Sequence, residues 1–349
     1  MTTFTTANEL YQRQITLLGK EAQDKISQTK ILVVGVGGLG CPALQYLCSS
    51  GIGTIGVADF DKVSISNLQR QILFKTQDIG KKKVRVAIEN LKQIAPFCHF
   101  KEIDMAINQD NASQLVRDYD IVLDCTDNFR TKFILHDTCF QQKKIFIMAS
   151  VYQYEGQLHL FDFREQKGPC LRCLWPIEPK DGCTGTCAQV GVMAPLLGVL
   201  GSMQAMEALK VIVNKSYLKN EETAFVDLID FSLEKRSFKA LKGCICCEKK
   251  ESVLSNNYQI ILPENLSDYQ IIDVRSRNEF LSCKFIENII QKQKIMNIPL
   301  EDISQFIPQD NIKYLMICAR GVRSLKACEI LRKNNVEVFS LIGGIQNFT

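Results

Sequence analysis

The sequence predicts two α/β units in tandem, the first a doubly wound nucleotide-binding sheet and the second smaller and compact. Three observations predict this. Ile31–Val34 is a short apolar run with the composition of a strand buried on both faces, and it leads into Gly35-x-Gly37-x-x-Gly40 and a helix with Pro42 in its first turn. A second such strand, Thr54–Phe60, carries Asp59 at its end, 19 positions after Gly40, where an acid can bind a ribose. Finally, a polar stretch without apolar period, 249–257, reads as a linker, and the hydrophobic pattern restarts beyond it. The first unit, 1–248, is thus expected to be Rossmann-like, and the second to span 258–349.

Bulk properties exclude several classes. Hydrophobic content of 46% and charged content of 23% describe an ordinary globular protein, and a net charge of +4 lends no support to nucleic-acid binding. The N-terminus lacks a basic start followed by an apolar core, and the longest apolar candidate, Val190–Val213, is interrupted by Gln204, Glu207 and Lys210. A cytoplasmic protein with no membrane partner is expected. Fifteen cysteines in such a chain are expected to be thiols or metal ligands rather than disulfides.

Residues 1–30 read as a helical lead-in with Arg13 on its surface. Ser64–Ile72 is a polar loop carrying Asn67 and Arg70, Lys83–Ile94 a helix, Phe100–Asp104 a strand, and Asp120–Asp127 a strand that delivers Asp124, Asp127 and Asn128. Ligands of doubly wound sheets sit outside the carboxyl ends of strands, so the glycine turn, Asp59 and Asp127 are expected on one rim. Arg70 and Lys83 suit phosphates there, and Asp127 suits Mg²⁺ as a hard oxygen ligand. The three histidines, His99, His136 and His159, sit in no loop following a strand of this unit. That favours ATP over a nicotinamide; an NAD-dependent oxidoreductase is the alternative.

Cys170-x-x-Cys173 and Cys244-x-x-Cys247 offer four thiolates for a closed, tetrahedral zinc site; a redox pair is the rival for either alone. Cys246 reads as a bystander, with Cys244/Cys246 as an open alternative. Lys180–Val190, rich in glycine and threonine, is a crossover loop carrying Cys183 and Cys187, and Leu196–Val213 is apolar nearly all round, as in a buried or subunit-interface helix.

In the second unit, strands Ile271–Val274, Tyr314–Cys318 and Val336–Leu341 alternate with helices near Glu279 and at Ser324–Lys333. Cys318 ends a buried strand just before a helix N-terminus, with Arg320 and Arg323 beside it, a setting that favours a reactive thiolate.

Six segments, DFDKVSISNLQRQ, the Lys83 position, DCTDN, GPCLRC, TCAQVGVMAPLLGVLGSMQAMEALK and GCICC, in that order, resemble the ThiF/MoeB (HesA) family of ubiquitin-activating-enzyme-like adenylyltransferases over about residues 8–248. The resemblance implies ATP, with Gly38, Asp59 and Ser66 as contacts, Asn67, Arg70 and Lys83 on the phosphates, and Asp127, with Asn128 beside it, on Mg²⁺. It implies a homodimer in which Arg13 reaches the partner's ATP, and a reactive cysteine at Cys187 with Cys183 as a near competitor. DVRSRNEF, MNIPL, CARGVRS and LIGGIQNF resemble a rhodanese domain, whose cysteine, here Cys318, carries a persulfide; Asp273 and Arg275 are then structural. Four residues separate Cys318 from Arg323, the shorter loop that goes with sulfur transfer rather than phosphatase chemistry. Together the resemblances imply adenylylation of a ubiquitin-like sulfur carrier ending in Gly-Gly, then transfer from a sulfane-sulfur donor to give a thiocarboxylate. Carriers of the molybdopterin, thiamine and tRNA-thiolation pathways all fit. A non-catalytic carrier-binding scaffold is the remaining alternative.

Overall fold

The computed structural model describes residues 6–176, 178–179, 191–248, 259–260, 265–281, 295–309, 312–319, 321–331, 337–341 and 344–345. The chain divides into two compact units, Met1–Leu254 and Ser255–Thr349. The linker expected at 249–257, Cys183, Cys187 and Arg320 lie outside the described residues.

In the first unit the lead-in forms three short helices, α1 (Ala7–Leu10), α2 (Gln12–Leu18) and α3 (Lys20–Gln28). Then follow β1 (Lys30–Val34), α4 (Gly40–Ser49), β2 (Thr54–Ala58), α5 (Lys83–Ile94), β3 (His99–Ile103), α6 (Gln109–Arg117), β4 (Ile121–Asp124), α7 (Phe129–Gln141) and β5 (Ile145–Tyr152). The unit continues with β6 (Glu155–Asp162), α8 (Leu171–Leu174), α9 (Ala194–Ile212), β7 (Glu222–Asp227) and β8 (Ser232–Ser237). The sheet has eight strands in the order β3-β2-β1-β4-β5-β6-β7-β8. β3 to β5 are parallel, with Val34 beside both Ala58 and Asp124, so three strands end at one level. From β5 onward the pairing is antiparallel, which returns β6 to the same rim at Glu155.

Alternation along β1 explains why this strand sits centrally. Ile31 and Val33 enter one hydrophobic cluster and Leu32 and Val34 the other, one on each face of the sheet. Each side chain so buried stabilises the fold by roughly 1.5–3 kcal/mol. The glycine turn is fixed by close approach: Gly35 has φ +94°, and a Cβ on Gly40 would lie 1.9 Å from the Gly35 carbonyl oxygen.

His159 on β6 is buried, its Nδ1 3.1 Å from the Thr223 hydroxyl and its ring stacked on Phe161. Burial, assisted by the nearby Lys132 charge, pushes its pKa down from 6.5 to about 3. Below the ordinary value the unfolded chain takes up a proton that the folded chain refuses. Each pH unit below it therefore costs the fold on the order of 1 kcal/mol until the folded group itself titrates. The variant His159→Leu is expected to flatten the fall of urea-unfolding stability between about pH 6 and 4.5; an unchanged slope would assign the fall to other groups.

The second unit is a five-stranded parallel sheet in the order β11-β10-β12-β13-β9, formed by β9 (Gln259–Ile260), β10 (Tyr269–Asp273), β11 (Met296–Asn297), β12 (Lys313–Ile317) and β13 (Val338–Leu341). Helices α10 (Arg277–Leu281) and α11 (Val322–Leu331) accompany it. Alternate residues of β12 again feed two clusters, Tyr314 and Met316 in one, Leu315 and Ile317 in the other.

Candidate functional site

A cavity of about 710 Å³ opens at the carboxyl rim of the first sheet, within the range that holds a nucleotide. Its lining brings together Gly38, Asp59, Asn67, Arg70, Lys83, Asp127 and Asn128, residues drawn from five separate segments of the sequence. Asp59 follows β2 and closes the glycine turn: its Oδ2 accepts the Val36 N–H at 2.7 Å and its Oδ1 the Asp61 N–H at 2.8 Å. Gly38 is small for a packing reason, since a Cβ there would lie 2.5 Å from Leu197 Cδ1 on α9.

The loop after Asp59 carries the cations. The Asn67 side-chain oxygen accepts the Ser64 N–H at 3.1 Å, and Arg70 Nη1 donates to the Ser66 carbonyl at 2.9 Å. Lys83 begins α5 and is buried, yet its only side-chain hydrogen bond among those described is from Nζ to Asp61 Oδ2, at 2.9 Å. An ammonium has three protons, so two remain to donate elsewhere. Asp127 is exposed on the cavity wall, while Asn128 caps α7 by accepting the Thr131 N–H at 2.8 Å.

Two of the residues predicted from sequence stand apart from this cavity. Ser66 is exposed with its hydroxyl 3.0 Å from that of Ser64, and Arg13 is exposed on α2; neither is in the lining. Conversely, Asp61, Gln71, Lys132 and Trp175 line the cavity and were not singled out from the sequence. Lys132 had a legible signal, its position four residues after the cap of α7, which places it on the cap's face of the helix.

Behind the sheet, Cys170, Cys173, Cys244 and Cys247 form one cluster with all four sulfurs within 4.8 Å of one another. The separations Cys170–Cys173, Cys170–Cys244 and Cys173–Cys247 are 3.9, 3.7 and 3.4 Å. Such edges fit a tetrahedron of thiolates about a metal at about 2.3 Å. Cys246 is buried and falls instead into a group with His136 and Cys170. A buried network supports the first knuckle: His136 Nε2 accepts the Leu171 N–H at 3.1 Å, and Arg172 makes a forked pair with Asp137.

In the second unit Cys318 follows β12 and is buried, its sulfur 3.3 Å from the Ser324 N–H at the start of α11 and 3.4 Å from the Ser324 hydroxyl. Arg323 does not face the sulfur freely; both terminal nitrogens are held by Glu279 at 2.7 Å. These bonds, with Ser276, hold the Glu279 carboxyl down at about 2. Asp273 and Arg275 form a second, buried forked pair at the end of β10.

The sequence profile of the ThiF family matches residues 11–246, and that of the rhodanese-like domain residues 260–349. The chain belongs to the ThiF family and carries a rhodanese-like domain. Among its relatives, a probable molybdopterin-synthase adenylyltransferase of Porphyra purpurea is 34% identical over 94% of this chain and 89% of its own length. The adenylyltransferase and sulfurtransferase MOCS3 of Drosophila virilis is 30% identical over 97% and 82%, and a sulfur carrier protein adenylyltransferase of Thermus thermophilus 35% identical over 68% and 89%. Among solved structures, E. coli MccB with ATP superposes with a TM-score of 0.58 at 22% identity, over 68% of this chain and 74% of that one, a likeness of fold. No helix among the described residues is long and apolar enough to cross a membrane.

Proposed function

We propose that this ThiF-family chain adenylylates the C-terminal glycine of a ubiquitin-like sulfur-carrier protein and then converts it to a thiocarboxylate. The observation that carries the reading is the single cavity in which Asp59, Asn67, Arg70, Lys83 and Asp127 converge on the glycine turn. Relatives named for both activities align with this chain over 97% and 79% of its length.

In the first step a carboxylate oxygen of the carrier attacks the α-phosphorus of ATP, and the bond to the β-phosphate's bridging oxygen breaks to release pyrophosphate. Positioning and charge neutralisation supply most of such catalysis. Asp59 orients the ribose, while Asn67, Arg70 and the two uncommitted protons of Lys83 bind phosphate oxygens. Arg13, exposed and outside its own cavity, reaches the ATP of a partner subunit in a homodimer. Asp127 is the ligand for Mg²⁺, which when bound offsets phosphate charge; an exposed carboxylate on the cavity wall suits that hard cation.

In the second step the outer sulfur of a Cys318 persulfide attacks the acyl carbon and AMP leaves, giving an acyl disulfide. A thiolate, with Cys187 the candidate, attacks the Cys318 sulfur of that disulfide, so the thiocarboxylate leaves and a protein disulfide remains for an external thiol to reduce. The four clustered cysteines hold zinc in a structural role. One zinc per chain is expected, and Cys244→Ser should lose it and lower Tm by roughly 10 °C, measured by metal analysis and calorimetry. Full metal retention by that variant would sink the zinc assignment.

ATP–pyrophosphate exchange that appears only with a carrier ending in Gly-Gly tests the main reading. No exchange with carriers of the molybdopterin, thiamine or tRNA-thiolation type would overturn it.

A further inference from the structure

Lys132 lines the nucleotide cavity, yet it is almost wholly buried. Its Nζ donates to Asp124 Oδ2 at 2.6 Å, to the Thr126 carbonyl at 2.9 Å and to the Ala149 carbonyl at 2.9 Å. Three acceptors consume the three protons of an ammonium, so this lysine has none left for a phosphate. That separates it from Lys83. The acceptors come from three places: the end of β4, the turn between β4 and α7, and β5 near its carboxyl end. Asp124 is fully buried as well, and its other oxygen accepts both the N–H and the hydroxyl of Thr126, at 3.1 and 2.6 Å. The pair thus holds the turn Asp124–Asn128 by the backbone and side chain of Thr126, and ties it to the neighbouring strand β5 at Ala149. Asp127 is the next residue on that turn.

From this geometry we infer that Lys132 and Asp124 are a positioning pair that presets the carboxylate of Asp127 for a nucleotide-bound divalent cation, without touching the nucleotide. The inference rests on the adenylyltransferase reading. A buried ion pair is weak as a source of stability, because desolvation offsets most of its attraction. Its value here is to hold a short turn in one conformation. Removing the ammonium leaves a buried carboxylate with one oxygen unpaired, and the turn that carries Asp127 loses its tie to β5.

The test is calorimetric binding of α,β-methylene-ATP to the full chain, with Mg²⁺ or with EDTA. In the wild type, Mg²⁺ should tighten Kd by about tenfold or more. In Lys132→Met that gain should shrink below about threefold, while Kd in EDTA stays within about threefold of wild type, because no direct nucleotide contact is lost. Lys132→Arg, which keeps the charge and enough donors for the same acceptors, should recover most of the gain. Should Lys132→Met fail to fold, Thr126→Val decides, since it removes one bond to Asp124 and keeps the shape; its Mg²⁺ gain should fall by about threefold. A full Mg²⁺ gain in folded Lys132→Met, or in Thr126→Val when that variant decides, overturns the inference alone. So does an equal loss of affinity with and without Mg²⁺, which marks a direct contact. A wild-type protein that binds no nucleotide overturns the adenylyltransferase reading along with it.

Discussion

Replacing Cys318 by serine is expected to reduce sulfane-sulfur loading to less than about 1% of wild type while leaving carrier-dependent ATP–pyrophosphate exchange within about twofold. The thiolate is the nucleophile, and a hydroxyl at the same place has far too high a pKa to replace it. Serine is also the least disruptive change, since the position accepts the Ser324 N–H at 3.3 Å and is fully enclosed. The measurement is mass spectrometry of the chain after incubation with a persulfide donor, alongside radiolabelled exchange. Persistent loading would move the sulfur-carrying role to another of the fifteen cysteines.

The second large effect is its mirror image. Asp127→Asn should lower exchange by on the order of 10³-fold and leave sulfur loading of Cys318 unchanged. Asparagine preserves size and one acceptor oxygen but removes the charge that would hold a hard cation. Asp127 lies on the exposed cavity wall, so the fold should tolerate the change, with Tm shifted by no more than about 2 °C. Exchange that survives at wild-type rates would remove Asp127 from the metal role.

The strands and the glycine turn were legible because they depend on local pattern. Ile31–Val34 alternates into two cores, Lys83–Ile94 begins and ends where periodicity places it, and the paired C-x-x-C spacings bring four sulfurs together. What local pattern does not carry is the choice of partner. Lys132 is one of many lysines in the sequence; its burial is decided by Asp124 and by two carbonyls of other segments. Arg323 reads as positive charge beside Cys318, but Glu279, 44 residues earlier, pairs with it. The same holds for the turn to antiparallel pairing after β5. The residues of β6 do not by themselves fix its direction, so the reversal that brings Glu155 back to the rim becomes visible only when the register is known. The expected strand ends were also long: β2 stops at Ala58, which frees Asp59 to brace the turn.

Cys170 and Cys244 are 74 residues apart, and the segment between them contains α9, β7 and β8. A metal gripping both knuckles would close this segment into a ring, and the entropy of that closure grows only with the logarithm of contour length. Doubling the ring would add about 0.6 kcal/mol. The stretch between the knuckles can therefore gain or lose residues at little thermodynamic cost, provided α9 and the two strands keep their seats. Such a ring would let the length of the crossover change while the scaffold around it stays the same.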